Sequence, residues 1–269
     1  MVGHVEWVDF VRVDHMPAAG EIVHANEAWS QPGGGGANAA VQLVKLAGNC
    51  AFFTALGDDE LGHRMFEHLE GLGVAVHATF KDEPTRRAVT HVDAEGERTI
   101  TVVGTRLEPA GGDDLPWDDL GSVDCAYLTA GDRVALGAAR RARILVATSR
   151  VLDGLKGERL DALVGSAVDV SERYVAGDLD PAPALVVRTE GAAGGTFDHV
   201  GVTRRFAASE VPGPIVDRYG AGDSFAAGLT FALGQGRPVP DALAFAARCG
   251  AAVISGRGPF EAQLTLGAQ

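Results

Sequence analysis

Residues 217–229 read DRYGAGDSFAAGL, and this short stretch indicates both the fold and the chemistry of the chain. The pattern predicts a loop that contains Gly220 and Gly222, followed by a helix from Ser224 to about Leu233. The two glycines allow a tight turn that points consecutive backbone N–H groups in one direction. At the N-terminus of a helix, such donors form a site for an anion.

Asp223 stands inside this predicted anion site. Its carboxylate does not suit a role as a ligand of bound phosphate, because like charges repel. Two interpretations are open. Asp223 either takes a proton from a hydroxyl that attacks the phosphate, or it caps the helix, as aspartate often does.

A second cluster of glycines lies towards the other end of the chain, at 33–36. The segment that follows it, 37–47, has helical spacing, with apolar residues on one broad face. Residues 2–13 and 21–29 are predicted as strands, the second of them more exposed, and residues 51–56 as a buried strand. The glycine cluster therefore lies between a predicted strand and a predicted helix.

Three further strands are predicted at 122–129, 143–148 and 185–189, with helical segments between them. This alternation is typical of a mostly parallel sheet covered by helices, so we expect an α/β fold. The segment 87–103 differs, because its β-branched residues flank a polar turn and predict a hairpin.

The early β segments do not belong to the alternation of strands and helices. We expect them to form a small β lid, contributed by about residues 9–30 and 85–104. The sequence contains no internal repeat and no low-complexity linker. We therefore predict one domain over residues 1–269 that carries this lid, rather than two full domains.

Composition and charge exclude several classes of partner. The chain has 269 residues and a formal net charge of −13 at pH 7, whereas a nucleic-acid binder needs a basic surface to displace counterions. No stretch of 18 apolar residues is present, so no membrane partner is expected. The N-terminus lacks the pattern of a secretory signal, and the three cysteines are isolated, so we expect a reduced, cytoplasmic protein.

Three motifs, taken together, resemble those of the ribokinase-like (PfkB) carbohydrate kinases. Residues 217–228 look like the C-terminal motif of that family, D-T-x-G-A-G-D-x-F. Residues 33–40 (GGGGANAA) resemble its N-terminal motif, G-G-x-x-x-N-x-A. Residues 53–62 (FTALGDDELG) resemble its G-x-x-G-D-D-x-x-G segment, with Ala55 in place of the first glycine. The resemblance implies a three-layer α/β sandwich with a mostly parallel central sheet and a small β lid.

The resemblance also implies roles for the residues of the C-terminal motif. Asp223 would be the catalytic base that activates a substrate hydroxyl. Gly220, Ala221 and Gly222, with the N–H of Asp223, would form an anion hole over the transferring γ-phosphoryl group. Asp217 matches the first acid of the motif, on the cofactor side, where it would shape the loop or lie near a monovalent cation.

Other matched positions imply the two substrate sites. Gly34, Gly35 and Asn38 would face the sugar, since glycines allow close approach and an amide can donate to and accept from hydroxyls. The loop near the nucleotide phosphates and ribose would contain Thr189, Gly191 and Gly194.

The chain departs from the family pattern at further positions. The family often carries N-x-x-E, which helps to organise Mg²⁺, whereas this chain has Ser166 and Asp169 at the matching ends; Asp169 is therefore the expected metal residue. The first strand of the family usually presents an aspartate to the sugar. That position is Val8 here, with Glu6 and Asp9 beside it, and Asp9 is the candidate for the sugar contact.

The resemblance implies transfer of the γ-phosphoryl group of ATP, with Mg²⁺, to a hydroxyl of a small sugar, as in ribokinase or fructokinase. A nucleoside acceptor stays open, and so does a catalytically weakened member that binds a sugar or nucleotide as a sensor. The intact Gly-Ala-Gly-Asp loop argues against the sensor. By analogy, pairing of lid strands between two chains would give a homodimer.

Three rival enzyme classes fit the sequence less well. A dinucleotide fingerprint at 34–39 would need a strand directly before it, but Pro32 directly precedes the glycine run. A hydrolase that used Ser224 as its nucleophile would need a histidine after it, but all eight histidines precede Ser224. The sequence contains no G-x-x-x-x-G-K-[ST], which excludes a P-loop kinase.

Overall fold

The computed structural model describes residues 1–266, so the last three residues of the predicted 1–269 domain lie outside the described part. The described strands are, in chain order, β1 (Glu6–Arg12), β2 (Glu27–Gly33), β3 (Ala51–Gly57), β4 (Ala75–Lys81), β5 (Arg87–Val92), β6 (Arg98–Val103), β7 (Cys125–Leu128), β8 (Ile144–Thr148), β9 (Ala162–Ser166), β10 (Leu185–Thr189), β11 (Gly195–His199) and β12 (Val202–Phe206). The described α-helices are α1 (Gly34–Ala47), α2 (Glu60–Gly71), α3 (Arg133–Ala139), α4 (Ala221–Gly234) and α5 (Val239–Val253).

The central sheet is mostly parallel, as predicted. Val2 forms parallel bridges to Phe53 in β3 and to Leu128 in β7, and these bridges join the pair β4-β3 to the run β7-β8-β9-β10-β11-β12. Among the described strands of the central sheet, only the pairs β10–β11 and β11–β12 are antiparallel. The carboxyl ends of the parallel strands therefore meet at one edge of the sheet, where α/β proteins bind ligands.

Each face of the central sheet has its own hydrophobic core. In β8, Leu145, Val146 and Ala147 are all fully buried; Val146 belongs to one core, and the two residues beside it belong to the other. Helices α1, α4 and α5 pack in the first core, and α3 packs in the second. Strands covered on both faces give short continuous apolar runs, which is the pattern that the sequence shows. The three-layer sandwich is confirmed.

A separate four-stranded sheet has the order β2-β1-β5-β6, and we call it the lid sheet. It has a small core of its own, made by Val8, Phe10, Ala88 and Val92 with Tyr219. Strands β5 and β6 fall within the predicted lid segment 85–104, whereas β1 and β2 overlap the predicted segment 9–30 and extend beyond both of its ends. Among residues 1–266, no helix combines the length and the apolar character that a membrane crossing requires.

Some predicted boundaries are wrong by several residues. Strand β2 covers Glu27–Gly33 rather than 21–29, α1 begins at Gly34 rather than at 37, and α4 begins at Ala221 rather than at 224. Because glycine is a poor helix former, the sequence predicts that each helix starts after its glycines. The helices include them because of packing: a Cβ at Gly36 would overlap the carbonyl oxygen of His4.

Candidate active site

The N-termini of α1 and α4 meet, and this meeting brings the two glycine motifs together. Asp223 lies in the first turn of α4, and one of its carboxylate oxygens accepts a hydrogen bond from Asn38 Nδ2 at 2.8 Å. Gln263 ties the same two helices together, since its Nε2 donates to the carbonyl oxygen of Asn38 at 2.8 Å and lies 3.3 Å from Ser224 Oγ. The predicted base and the predicted sugar residue Asn38 thus form one site.

Gly35 lies at the centre of this site. A Cβ at Gly35 would lie 3.1 Å from Asp223 Oδ1, 3.7 Å from His4 Cε1 and 3.7 Å from Thr129 Cγ2. Three side chains from separate parts of the chain therefore surround one point on the backbone. The absence of a side chain at Gly35 leaves room there for a ligand to approach Asp223.

The loop before α4 has the backbone geometry of an anion site. Gly220 has φ = 80° and precedes the helix without a side-chain cap. The N–H of Ser224 donates to the carbonyl oxygen of Gly220 at 2.9 Å, so the N–H groups of Ala221, Gly222 and Asp223 precede the first bond of the helix. A Cβ at Gly222 would meet no described atom within 4 Å, which shows that the loop faces open space. These N–H groups are therefore available to an anion.

Burial raises the pKa of the Asp223 carboxyl above its usual value of 3.8. The hydrogen bond from Asn38 opposes this shift, and so do the positive charges of Arg150 and Arg98. A carboxylate with a raised pKa is a better proton acceptor than an ordinary aspartate, which suits general-base catalysis. The structure thus gives Asp223 an environment that helix capping alone would not need, because its side chain caps no N–H.

Asp217 is fully buried and holds the loop that leads to α4. Its two oxygens accept hydrogen bonds from the N–H of Tyr219 at 2.8 Å and from the N–H of Gly258 at 3.1 Å. Burial raises the pKa of Asp217, and the two backbone hydrogen bonds oppose that shift. Both oxygens serve the loop geometry, which is one of the two roles predicted for this position.

Strand β1 presents Glu6 to the site and turns Asp9 away from it. Glu6 is 6% exposed, pairs with Arg86 Nε at 2.9 Å, and its Cγ would lie 3.3 Å from a Cβ at Gly34. Asp9 lies on the other face of the strand, where its carboxylate binds Ser30 and Arg87. The predicted sugar contact Asp9 is therefore not brought to Asp223. Glu6, which the sequence places beside the same position without a role, is nearer to the glycine loop.

Sequence reasoning assigned no site role to Tyr219, His4 or Thr129. The N–H of Gly34 donates to the hydroxyl oxygen of Tyr219 at 2.9 Å, which fixes the glycine loop against the loop before α4. Burial, followed by the charge of Arg106, lowers the pKa of His4 from 6.5 to about 3, so His4 is neutral at ordinary pH. Unpartnered buried polar atoms gather in this region, namely His4 Nδ1, Asn38 Oδ1 and Thr129 Oγ1.

The predicted nucleotide residues lie at the end of β10 and directly after it, next to β9 in the central sheet. Thr189 ends β10 and is in register with Ser166 at the end of β9. Gly191 and Gly194 have φ of 59° and 82° in the turn that leads to β11. A Cβ at Gly194 would overlap the carbonyl oxygen of Phe206, so that position requires glycine.

The expected metal residue Asp169 is fully engaged by protein groups. Its Oδ1 accepts hydrogen bonds from the N–H and the Oγ of Ser171 at 2.9 and 2.7 Å, and its Oδ2 pairs with Arg150 at 2.6 Å. Glu172 pairs with the same guanidinium at 2.6 Å and accepts the N–H of Ser166 at 2.6 Å. A metal ion here would have to displace Arg150, so these residues do not fit a protein-held metal. Within residues 1–266, no cluster of three metal-ligating side chains is found.

The tip of the β5–β6 hairpin contacts the loop before α4. The N–H of Arg218 donates to the carbonyl oxygen of Gly96 at 3.2 Å, and Arg218 Nε lies 2.8 Å from Glu97 Oε1. The lid sheet therefore touches the same loop that supplies the anion site.

A family model described as pfkB family carbohydrate kinase matches residues 1–152 and 158–265. The chain belongs to the PfkB family of carbohydrate kinases. It is therefore a phosphotransferase with an alcohol group as acceptor, and the family resemblance stated from the three motifs is confirmed.

Relatives of known activity cover nearly the whole chain. An ATP-dependent ribose-1-phosphate kinase from Halopiger xanaduensis is 27% identical over 93% of this chain and 89% of that protein. A 5-dehydro-2-deoxygluconokinase from Geobacillus thermodenitrificans is 23% identical over 87% of this chain and 81% of that protein. The solved structure of Arabidopsis thaliana ribokinase complexed with ribose and ATP is 21% identical, with a TM-score of 0.74 over 97% of this chain and 93% of that one.

Proposed function

We propose that this PfkB kinase transfers the γ-phosphoryl group of ATP to a hydroxyl of a small sugar, with Asp223 as the general base. The observation that carries the proposal is the position of Asp223. Its carboxylate lies beside Asn38, at 2.8 Å from the amide nitrogen, and in the same helical turn as the unpaired N–H groups of the loop. A base and an anion site in contact are what phosphoryl transfer to a hydroxyl requires.

The proposed reaction uses groups that are already in place. Asp223 takes the proton of the acceptor hydroxyl while the hydroxyl oxygen forms a bond to the γ-phosphorus, and the bond from that phosphorus to the bridging oxygen breaks to release ADP. Asn38 holds the carboxylate in orientation through its amide. The N–H groups of Ala221, Gly222 and Asp223 stabilise the charge on the transferring group. Mg²⁺ enters as part of the nucleotide substrate.

The unpartnered polar atoms around Gly35 support a polyhydroxyl acceptor. Asn38 Oδ1 and Thr129 Oγ1 are buried without partners, and each can accept a hydrogen bond from a sugar hydroxyl. On the nucleotide side we assign Thr189, Gly191 and Gly194, which line the sheet edge next to β9.

The acceptor panel should include free sugars, a sugar phosphate, a sugar acid and nucleosides. Ribose is bound in the Arabidopsis structure, and the two curated relatives take a phosphorylated pentose and a deoxy sugar acid by their names. Nucleosides belong in the panel because a ribosyl group presents the same hydroxyls as free ribose.

ADP release over this panel tests the proposal. We expect turnover with at least one acceptor, and Asp223→Ala should reduce kcat by about 10²–10⁴-fold, the range for a general base. Asp241→Ala is the matched control, because Asp241 is an exposed aspartate in the first turn of the neighbouring helix α5. Equal rates for the wild type and Asp223→Ala would overturn the role of Asp223.

We also propose that the lid sheet closes over the sugar within a single kinase domain and excludes water from the reaction. Hydrogen exchange of residues 87–103 with and without the acceptor tests closure, and unchanged protection would contradict it.

Strand β6 is an edge strand with Ile100, Val102 and Val103 exposed, a surface that suits pairing with a second copy. Light scattering of the protein tests this homodimer, and a monomer at all concentrations would exclude it.

A further inference from the structure

Arg150 lies at the centre of a cluster of side chains that includes Asp169, the residue that the family resemblance assigns to a metal. The residue follows β8, and its guanidinium pairs with Asp169 and Glu172, both at 2.6 Å, from the segment that follows β9. Its Nη1 also lies 3.3 Å from Ser171 Oγ. A guanidinium has five N–H donors, so these three contacts leave two donors free.

The local packing fixes this cluster in place. Ser149 Oγ donates to the carbonyl oxygen of Glu172 at 2.8 Å, and a Cβ at Gly165 would overlap Ser149 Oγ. The short turn Val170–Glu172 can therefore lie against the ends of β8 and β9 only because residue 165 is glycine. The turn holds both carboxylates towards Arg150, whose side chain is still 49% exposed.

The cluster faces the phosphoryl-transfer site. Arg150 follows the carboxyl end of β8, and Asp169 follows that of β9. Thr129 follows the carboxyl end of the neighbouring strand β7, and its Cγ2 and Asp223 Oδ1 would lie 3.7 and 3.1 Å from the same Cβ at Gly35. Burial raises the pKa of Asp223, and the positive charge of Arg150 opposes that rise. Burial lowers the pKa of Arg150, but the negative charges of Glu172, Asp169 and Asp223 raise it overall. The guanidinium is thus within electrostatic reach of the base and of any phosphate held by the loop before α4.

We propose that Arg150 binds the phosphate chain of the nucleotide directly and supplies there the positive charge that a metal-holding carboxylate would otherwise organise. Asp169 and Glu172 act in this scheme as positioning residues, because they orient the guanidinium and leave two of its donors for phosphate oxygens. Arginine suits this role, since its planar fork matches phosphate geometry. The inference rests on the proposed use of ATP.

The test is the affinity for ATP measured by calorimetry, once with excess EDTA and once with Mg²⁺, without any acceptor. We expect Arg150→Gln to weaken binding of metal-free ATP by about tenfold or more, the effect of losing one charge-assisted hydrogen bond. Arg150→Lys keeps a cation between the two acids and should lose less. Arg141→Gln is the matched control, because Arg141 is 46% exposed and pairs with Asp118 at 2.9 Å away from the site; its affinity should not change.

Asp169→Asn separates the two explanations of the cluster. If Arg150 supplies the charge, Asp169→Asn leaves the Mg²⁺ concentration for half-maximal activity within about twofold of the wild type. An Asp169→Asn variant that needs much more Mg²⁺, or an Arg150→Gln variant that folds and binds metal-free ATP as tightly as the wild type does, would overturn the inference. Thermal melting confirms folding, and Arg150→Lys decides the matter if Arg150→Gln does not fold.

Failure of the proposed function is a separate result. If the wild type binds ATP, Arg150→Gln weakens that binding, and no acceptor is phosphorylated, the role of Arg150 stands and the sugar kinase reaction does not. If the wild type does not bind ATP, both proposals are overturned.

Discussion

Asp223 and Asp169 lie at the same edge of the central sheet, and each matches a functional acid of the family pattern, yet their surroundings differ. Asp223 has one neutral side-chain donor, Asn38 at 2.8 Å, and burial raises its pKa. Asp169 has two donors from Ser171 and an ion pair with Arg150 at 2.6 Å. The hydrogen bonds from Ser171 hold the pKa of Asp169 below its usual range.

The difference shows that the neighbours of a carboxylate, more than its position in a motif, decide what it can do. A carboxylate with a raised pKa and one free oxygen can accept a proton. A carboxylate whose oxygens are all engaged, with a lowered pKa, can only hold its partners in place. Asp223 is therefore placed to act as a base, whereas Asp169 is placed to orient Arg150.

Among the next three predictions, the largest effect is expected from Gly35→Ala, which disturbs Asp223 without removing it. The new Cβ would lie 3.1 Å from Asp223 Oδ1, so the carboxylate must shift. Displacement of a catalytic group by about 1 Å can cost about 100-fold, and the shift here is smaller, so we expect a loss of about tenfold in kcat/KM. Gly71→Ala is the control, because a Cβ there meets no described atom within 4 Å. Activity of Gly35→Ala within twofold of the wild type would show that the contact does not matter.

A smaller effect is expected in the pH dependence of kcat/KM. Protonated Asp223 cannot accept a proton, so activity falls as the pH drops through its pKa. Because burial raises that pKa above 3.8, the acid limb should lie at a higher pH than an ordinary aspartate would give. Arg150→Gln removes a charge that lowers the pKa of Asp223, and should therefore move the limb to still higher pH. If the acid limb of Arg150→Gln lies at the same pH as that of the wild type, the charge of Arg150 does not affect Asp223 and this prediction is wrong.

The smallest effect is expected in stability. The raised pKa of Asp223 means that its protonated form favours folding, and that this contribution is lost as the pH rises through the raised pKa. Asp223→Asn keeps an acceptor for Asn38 and removes the buried charge, so its Tm at pH 7 should exceed that of the wild type, by about 2–4 °C for each kcal/mol gained. Calorimetry at several pH values should show the gain shrinking towards acid. A lower Tm for Asp223→Asn at pH 7 would contradict the cost assigned to this charge.

The parts of the site that local sequence encodes were predictable, and the parts that depend on distant contacts were not. Gly35, Asn38 and Asp223 lie in short motifs whose spacing carries their chemistry. The contact between Gln263 and Asn38 joins residues 225 positions apart, and no local pattern indicates it. The structure was also needed to show which face of β1 meets the glycine loop, because alternation places Glu6 and Asp9 on opposite faces without saying which face is which.

The metal prediction shows a different limit. The match of Asp169 to a family motif was visible in the sequence, but its ion pair with Arg150, 19 positions earlier, was not. A motif match states which residue type occupies a position and says nothing about its partners. Sequence reasoning therefore assigned Asp169 to a metal, whereas the structure directs the same carboxylate to a guanidinium.

Turnover of the two asparagine variants, Asp223→Asn and Asp169→Asn, tests the central claim most directly. Both are measured side by side with saturating Mg·ATP and the same acceptor, and each change removes one negative charge while keeping the size of the side chain. The account predicts that Asp223→Asn loses about 10³-fold in kcat, while Asp169→Asn stays within about threefold of the wild type, since Glu172 still holds Arg150 at 2.6 Å. Comparable losses in the two variants, or a larger loss in Asp169→Asn, would contradict it.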